Sequence, residues 1–386
     1  MGSNIAGALI LIFSISCFSN LDFDTIQIKL IHFLIFISVA IISSIAFLSP
    51  LGCGLEAKGA LSLIFLAALL SFHKKIDLVR IVISRSTTNF ALTFLLVLLF
   101  LDLLGLGVRQ LIFGFSKGSG PYTETSHLAI YLLPILAVQL LMIPKNRLAW
   151  LVLLFCSFFA FSSTLSVGLL GIFWMYSFSR PGSFIKRWSL LMVVVLVIFT
   201  ILFSGIIDVE STTNRVLHIL GGYDAEVANH TNMSSIVWLN GWSQAGQTLL
   251  ATGWLGTGFN QMGCGRFYAS GMLSPLMMDT MAMVLNFDDG SLLAAKLIAE
   301  LGILGIITVF VLSSLSVRAI VNFGSVRFAI TYEKRLFATI RAAGGWCILM
   351  YLYVRGMGYF QMSFLLSISM LLLSPSRQLT GTSKCR

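Results

Sequence analysis

Residues Leu148 to Phe178 read LAWLVLLFCSFFAFSSTLSVGLLGIFWMYSF, a 31-residue run with no charged side chain. A helix crossing a bilayer needs roughly 20 apolar residues, so the run is long for one crossing and short for two. Its flanks decide the matter. Lys145 and Arg147 precede it, and Arg180, Lys186 and Arg187 follow it. Positive charge collects on the cytoplasmic side, so both ends belong inside and the chain crosses twice. The turn falls in the polar cluster Ser162, Ser163, Thr164 and Ser166. Two spans follow, over 148–163 and 164–179, and they set the fold class as all-α and polytopic.

Outward from this pair, runs of similar length occur at 4–19, 29–49, 56–72, 88–104, 126–143, 189–206, 291–316, 336–354 and 357–374. The count is eleven transmembrane helices, with ten or twelve also compatible. Hydrophobic residues make up 57% of the 386, charged residues 10%, and the mean hydropathy is +0.94. Too little charge is present to solvate a soluble enzyme or sustain disorder. The net charge of +10 sits in short clusters between apolar runs, which reads as membrane orientation and not as nucleic-acid binding. Lys74, Lys75, Arg80 and Arg85 fall inside; so do Arg318, Arg327, Lys334, Arg335 and a tail with Arg377, Lys384 and Arg386. The first run has no basic region before it and no small-residue cleavage site after it, so it is expected to be a retained helix.

This map divides the chain into an N-terminal bundle of about eight helices (1–206), a large outer loop (207–290) and C-terminal helices with a tail (291–386). The 84-residue loop is far longer than an ordinary connection, and such loops usually carry function. It holds seven of the 15 acidic residues against two basic ones, Arg215 and Arg266. Amphipathic stretches such as Trp238–Leu250 point to short helices lying on the outer membrane surface. A second outer segment, 105–125, is Gly-rich.

Polar residues placed against this apolar background are the candidates for chemistry. Glu124, His127 and Tyr131 share one helical face at the outer mouth of the fifth span. On spacing alone a helix cap with an interfacial histidine is the simpler reading; the functional one is an acid/base pair facing an outer cavity. Arg109 lies in a loop with Gly114, Lys117, Gly118 and Gly120, where glycines permit close approach and a guanidinium fork matches phosphate oxygens. The ninth span opens with Asp289 as a prospective N-cap. Lys296 and Glu300 follow on the same face, one to two turns into the membrane, where ionisable groups are costly and usually face a bundle interior. Arg355 stands at the outer end of the tenth span, followed by Gly356, Gly358 and Tyr359. No Walker loop, HExxH or GxSxG occurs, and the six cysteines lack metal-ligand spacing; neither metal nor cofactor is expected. Outward arginines with carboxylates and one histidine on hydrophobic helices suit a substrate with an anionic head and a tail in the bilayer.

In five places these residues resemble the bacterial O-antigen polymerases (Wzy), which are related to the O-antigen ligases. Arg109, ten residues and Gly120 are similar to that family's Arg–ten–Gly motif. Glu124-Thr-Ser-His127-Leu-Ala resembles its Glu-Pro-Ser-His-x-Ala helix start, with Thr125 in place of Pro. The others are Ser234 to Ala245 leading into Gly253 to Gly258, Asp289-Gly-Ser291 with Lys296 and Glu300-Leu-Gly302, and Arg355-Gly-x-Gly-Tyr-Phe360. They run in the expected order over 109–360. The loop has no second Arg–ten–Gly match after Arg215 or Arg266.

The resemblance implies a metal-independent, inverting, GT-C-like glycosyltransferase at the periplasmic face of the inner membrane. Its substrates would be oligosaccharide repeats on undecaprenyl diphosphate, and its partners membrane lipid, a chain-length regulator (a Wzz-type co-polymerase) and a flippase. Arg109, Arg215 and Arg355 would hold the diphosphate, with Arg266 and Lys296 as further candidates and Glu300 and Tyr359 in the same substrate-binding set. Glu124 or His127 would accept the acceptor proton, and Asp289 would orient a sugar or an arginine. Two alternatives stay open: a ligase with lipid A-core as acceptor, and a lipid-linked oligosaccharide flippase or other transporter.

Overall fold

The computed structural model describes residues 89–90, 92–94, 96–97, 100–101, 125–142, 150–152, 163–179, 233–263, 290–326, 332–356, 358–359 and 361–373. Among these every regular element is an α-helix, and no strand occurs. The helices are α1 (Thr125–Met142), α2 (Ser163–Ser179), α3 (Met233–Ala251), α4 (Leu293–Leu301), α5 (Ile303–Val326), α6 (Tyr332–Tyr353) and α7 (Met362–Leu371). Two of them, over Ile303–Gly324 and Lys334–Tyr353, are long and apolar enough to cross a membrane. Described residues between 89 and 101 and at 150–152 are also helical, where the fourth and sixth spans were expected. The first, second, third and eighth spans lie outside the described residues.

The chain forms two compact units, one of residues 1–77, 196–312 and 351–361, the other of 78–195, 313–350 and 362–386. In the second, α1 packs on α2 and α7. Both α1 and α2 fall within a residue of the expected fifth and seventh spans. Pro134 sits inside α1. Glycines let α2 approach its neighbours: a Cβ at Gly168 would overlap the Leu133 side chain, and one at Gly171 would overlap the Trp346 ring. The Trp346 indole donates to the Gly168 carbonyl at 2.8 Å. Close approach through small residues is how helices associate where lipid removes the hydrophobic drive.

In the first unit α3 packs on α4, again through small side chains. Ala245 of α3 meets Ala295 and Ala299 of α4, with Met262 and Leu292 completing the cluster. A Cβ at Gly241 would overlap the Gly290 carbonyl oxygen.

Two spans differ from expectation. The run 291–316 is not one helix: α4 ends at Leu301, α5 starts at Ile303, and Gly302 between them has φ 59°. A Cβ there would overlap the Trp254 carbonyl oxygen, and the positive φ is one that glycine adopts cheaply, so both space and backbone call for glycine. The helix in 357–374 is only the ten residues of α7, about 15 Å at 1.5 Å per residue and shorter than a bilayer core.

Candidate functional site

The break at Gly302 would leave carbonyls at the end of α4 without helical partners, and the segment after α3 supplies them. Thr257 N–H donates to Ala299 O at 3.0 Å and Gly258 N–H to Glu300 O at 2.8 Å, while Gly302 N–H bonds Ile298 O at 2.9 Å. On the other side of the break Ile303 N–H donates to Trp254 O at 2.9 Å. A Cβ on Gly256 would overlap the Glu300 carbonyl oxygen, so the glycine is what lets the loop lie on the helix end.

The Glu300 carboxylate, fully buried, completes this seam. Its Oε2 accepts from Asn260 N–H at 2.7 Å and from the Tyr359 hydroxyl at 2.6 Å. Its Oε1 accepts from Met262 N–H at 3.0 Å and faces Lys296 Nζ at 3.3 Å. Lys296, 2% exposed, also lies over the Tyr359 ring, 5.5 Å from its centroid, within cation–π range. Tyr359 stacks on Phe259 with centroids 4.6 Å apart. A carboxylate with this many donors is a fixed anchor for the loop, its charge compensated by the ammonium beside it.

The Arg355 segment reaches the opposite end of α4. Gly356 N–H donates to Ser291 O at 2.9 Å, and a Cβ at Gly356 would overlap Leu293 N. Gly290 and Ser291 both have positive φ, 61° and 57°. A serine there is strained, and its hydroxyl bonds two carbonyls, Gly290 O at 2.7 Å and Val237 O at 3.1 Å. The Trp238 indole donates to Tyr353 O at 2.9 Å, and Trp242 stacks on the Tyr353 ring. Three segments far apart in sequence (237–262, 290–302 and 353–359) thus form one assembly around α4.

Of the residues singled out in the sequence, Lys296, Glu300 and Tyr359 are in mutual contact, and half-buried Arg355 is one residue from the seam at Ser291. His127 occupies the first turn of α1. Arg109, Glu124, Arg215, Arg266 and Asp289 lie outside the described residues. The N-cap position of α4 is Leu292, with no side-chain cap, three residues beyond the cap expected at Asp289. Among the described residues no group of three His, Cys, Asp or Glu is placed to hold a metal ion.

The sequence reading missed a row on α3. Asn240, Gln244 and Thr248 are buried, while Leu250 is exposed. The helix turns a polar face inward, the reverse of a surface helix in water. The i, i+4, i+8 spacing of these three was the available signal. Gln261 is buried as well, and among the described residues no donor reaches its side-chain carbonyl oxygen. No family model matches the chain, and neither a curated protein nor a solved structure is similar to it.

Proposed function

We propose that the chain is a multi-pass inner-membrane glycosyltransferase, GT-C-like with about eleven spans, that polymerises surface polysaccharide from undecaprenyl-diphosphate-linked repeats at the periplasmic face. One observation carries the reading. Three of the five motif segments that resemble O-antigen polymerases meet around α4, held by Glu300, Ser291 and Trp238. Segments that serve one site need such a meeting; unrelated motifs do not.

In this reaction a hydroxyl of the incoming repeat attacks the anomeric carbon of the growing chain. The bond from that carbon to the diphosphate oxygen breaks, and the undecaprenyl diphosphate leaves with the electron pair. The acceptor proton passes to Glu124, with His127 as its orienting partner. Arg109, Arg215 and Arg355 stabilise charge developing on the diphosphate; each planar fork gives two parallel hydrogen bonds. Arg266 is a further candidate for the diphosphate, and Asp289 orients a sugar or one of the arginines. Lys296, Glu300 and Tyr359 act on the substrate through the loop they hold. The regulator and the flippase act beside the enzyme, setting chain length and supplying substrate.

The broken α4–α5 helix favours a second reading, a transporter, because transporters bind ions at unwound helix carbonyls. Here Ala299 O and Glu300 O each accept a loop amide, and Glu300 already has the Lys296 ammonium as its cation. Complementation of a polymerase-deleted cell tests the choice. The intact chain should restore long polysaccharide, and Arg109→Ala or Arg355→Ala should leave core capped with one repeat at unchanged membrane abundance. Long chains from both variants would remove the arginine clamp from the mechanism.

A further inference from the structure

The turn after α3 carries an apolar knob. Trp254 is 50% exposed and Leu250 70%, with Leu255 also exposed. Trp254 has φ 71°, a conformation costly for so bulky a residue. Its backbone is held on both sides: N–H to Leu249 O at 2.8 Å, carbonyl from Ile303 N–H at 2.9 Å. The ring is therefore presented outward by a tightly held turn.

What covers the knob follows from where it is tied. Ile303 is the first residue of a helix long and apolar enough to cross a membrane, and from it Ile303, Ile307 and Phe310 form an exposed stripe, Phe310 being 71% exposed. Their spacing puts them on one helix face. The knob is thus continuous with that face at its outer end. Residues 233–263 contain no Asp, Glu, Lys, Arg or His, so no charge in the segment resists lipid. The backbone is equally prepared. Gly253 N–H bonds Leu250 O, Leu255 N–H bonds Thr252 O, and Gly256 N–H bonds the Thr252 hydroxyl at 2.9 Å. Self-satisfied amides are what a bilayer demands of a turn, and indoles favour the headgroup boundary.

We propose that the Leu250–Leu255 turn inserts into the outer leaflet of the bilayer, with Trp254 at headgroup depth. The turn then anchors the Glu300-bound loop at the level where the diphosphate of a lipid-linked substrate lies. This rests on the membrane reading above, and the test separates the two. The intact protein is reconstituted in phosphatidylcholine vesicles containing a phosphatidylcholine with a photoactivated diazirine near the acyl carbonyl. After irradiation and proteolysis, labelled peptides are read by mass spectrometry. Residues 250–255 and the 303–310 stripe should be labelled to the same extent, with buried 293–301 unlabelled. Labelling of the stripe without the turn overturns the lipid anchor and points to a second copy or another protein over the knob. Labelling of neither overturns the membrane reading together with the anchor.

Discussion

The Tyr359 hydroxyl donates to Glu300 Oε2 at 2.6 Å across 59 residues of sequence, and that oxygen also accepts the Asn260 amide. One buried carboxylate therefore joins the Arg355 segment, the loop after α3 and the end of α4.

Removing that carboxylate strands its donors. Glu300→Ala leaves two amides, a hydroxyl and the Lys296 ammonium buried without their acceptor, and breaking a buried pair this way costs about 3–5 kcal/mol. Thermal unfolding in detergent should show a large loss for Glu300→Ala and a smaller one for Glu300→Gln, which keeps a carbonyl acceptor. Adding Lys296→Met to Glu300→Gln should recover part of that loss, since the buried cation goes too. Equal stability of all three variants and the parent would contradict the clasp.

Gly302 supplies a second test. Alanine at φ 59°, ψ −130° sits in a sparsely populated region at a cost of about 1–3 kcal/mol, and its Cβ would also overlap the Trp254 carbonyl oxygen. Gly302→Ala should therefore lower stability by more than this and weaken activity together with it. Gly246→Ala, where a Cβ meets nothing within 4 Å, should be tolerated in the same assays. Indifference to Gly302→Ala would mean the break is not held as described.

The positive-inside pattern makes a prediction about sidedness. Alkaline phosphatase fused after Ala228 should be active, and fused after Arg377 inactive. The reverse activities would invert the map and place the α4 assembly on the wrong side for a periplasmic reaction.

The helices over 125–142 and 163–179 were legible because a long uncharged run and its flanks leave few other choices. The split at Gly302 was not. A glycine inside an apolar run is compatible with a continuous helix, and the Trp254 carbonyl that packs on the break comes from 48 positions away. The role of Glu300 was half legible. Its pairing with Lys296 follows from i, i+4 spacing, but its other partners are loop amides and a phenol that no local pattern announces. The row Asn240, Gln244, Thr248 had a readable period. Which way it faces depends on α4, whose Ala295 and Ala299 admit α3 so closely.

The proposed arginine clamp implies an asymmetry between two substitutions. Arg355→Lys keeps the charge and loses the second parallel hydrogen bond, so much of the activity should go. Arg355→Ala should cost about 10²-fold or more, the usual scale for removing one preorganised donor to a developing charge. Chain-length distributions at matched protein abundance measure both. Parent-like chains from Arg355→Ala would exclude this residue from the clamp.

The most direct measurement is polymerisation by the purified protein in vesicles that contain undecaprenyl-diphosphate-linked repeats as the sole sugar source. A ladder of lengthening lipid-linked glycans should form, also in the presence of a metal chelator, and Glu124→Gln should abolish it while the protein stays folded. Substrate left as single repeats by the folded parent protein, or glycan joined only when lipid A-core is added, would contradict the polymerase reading.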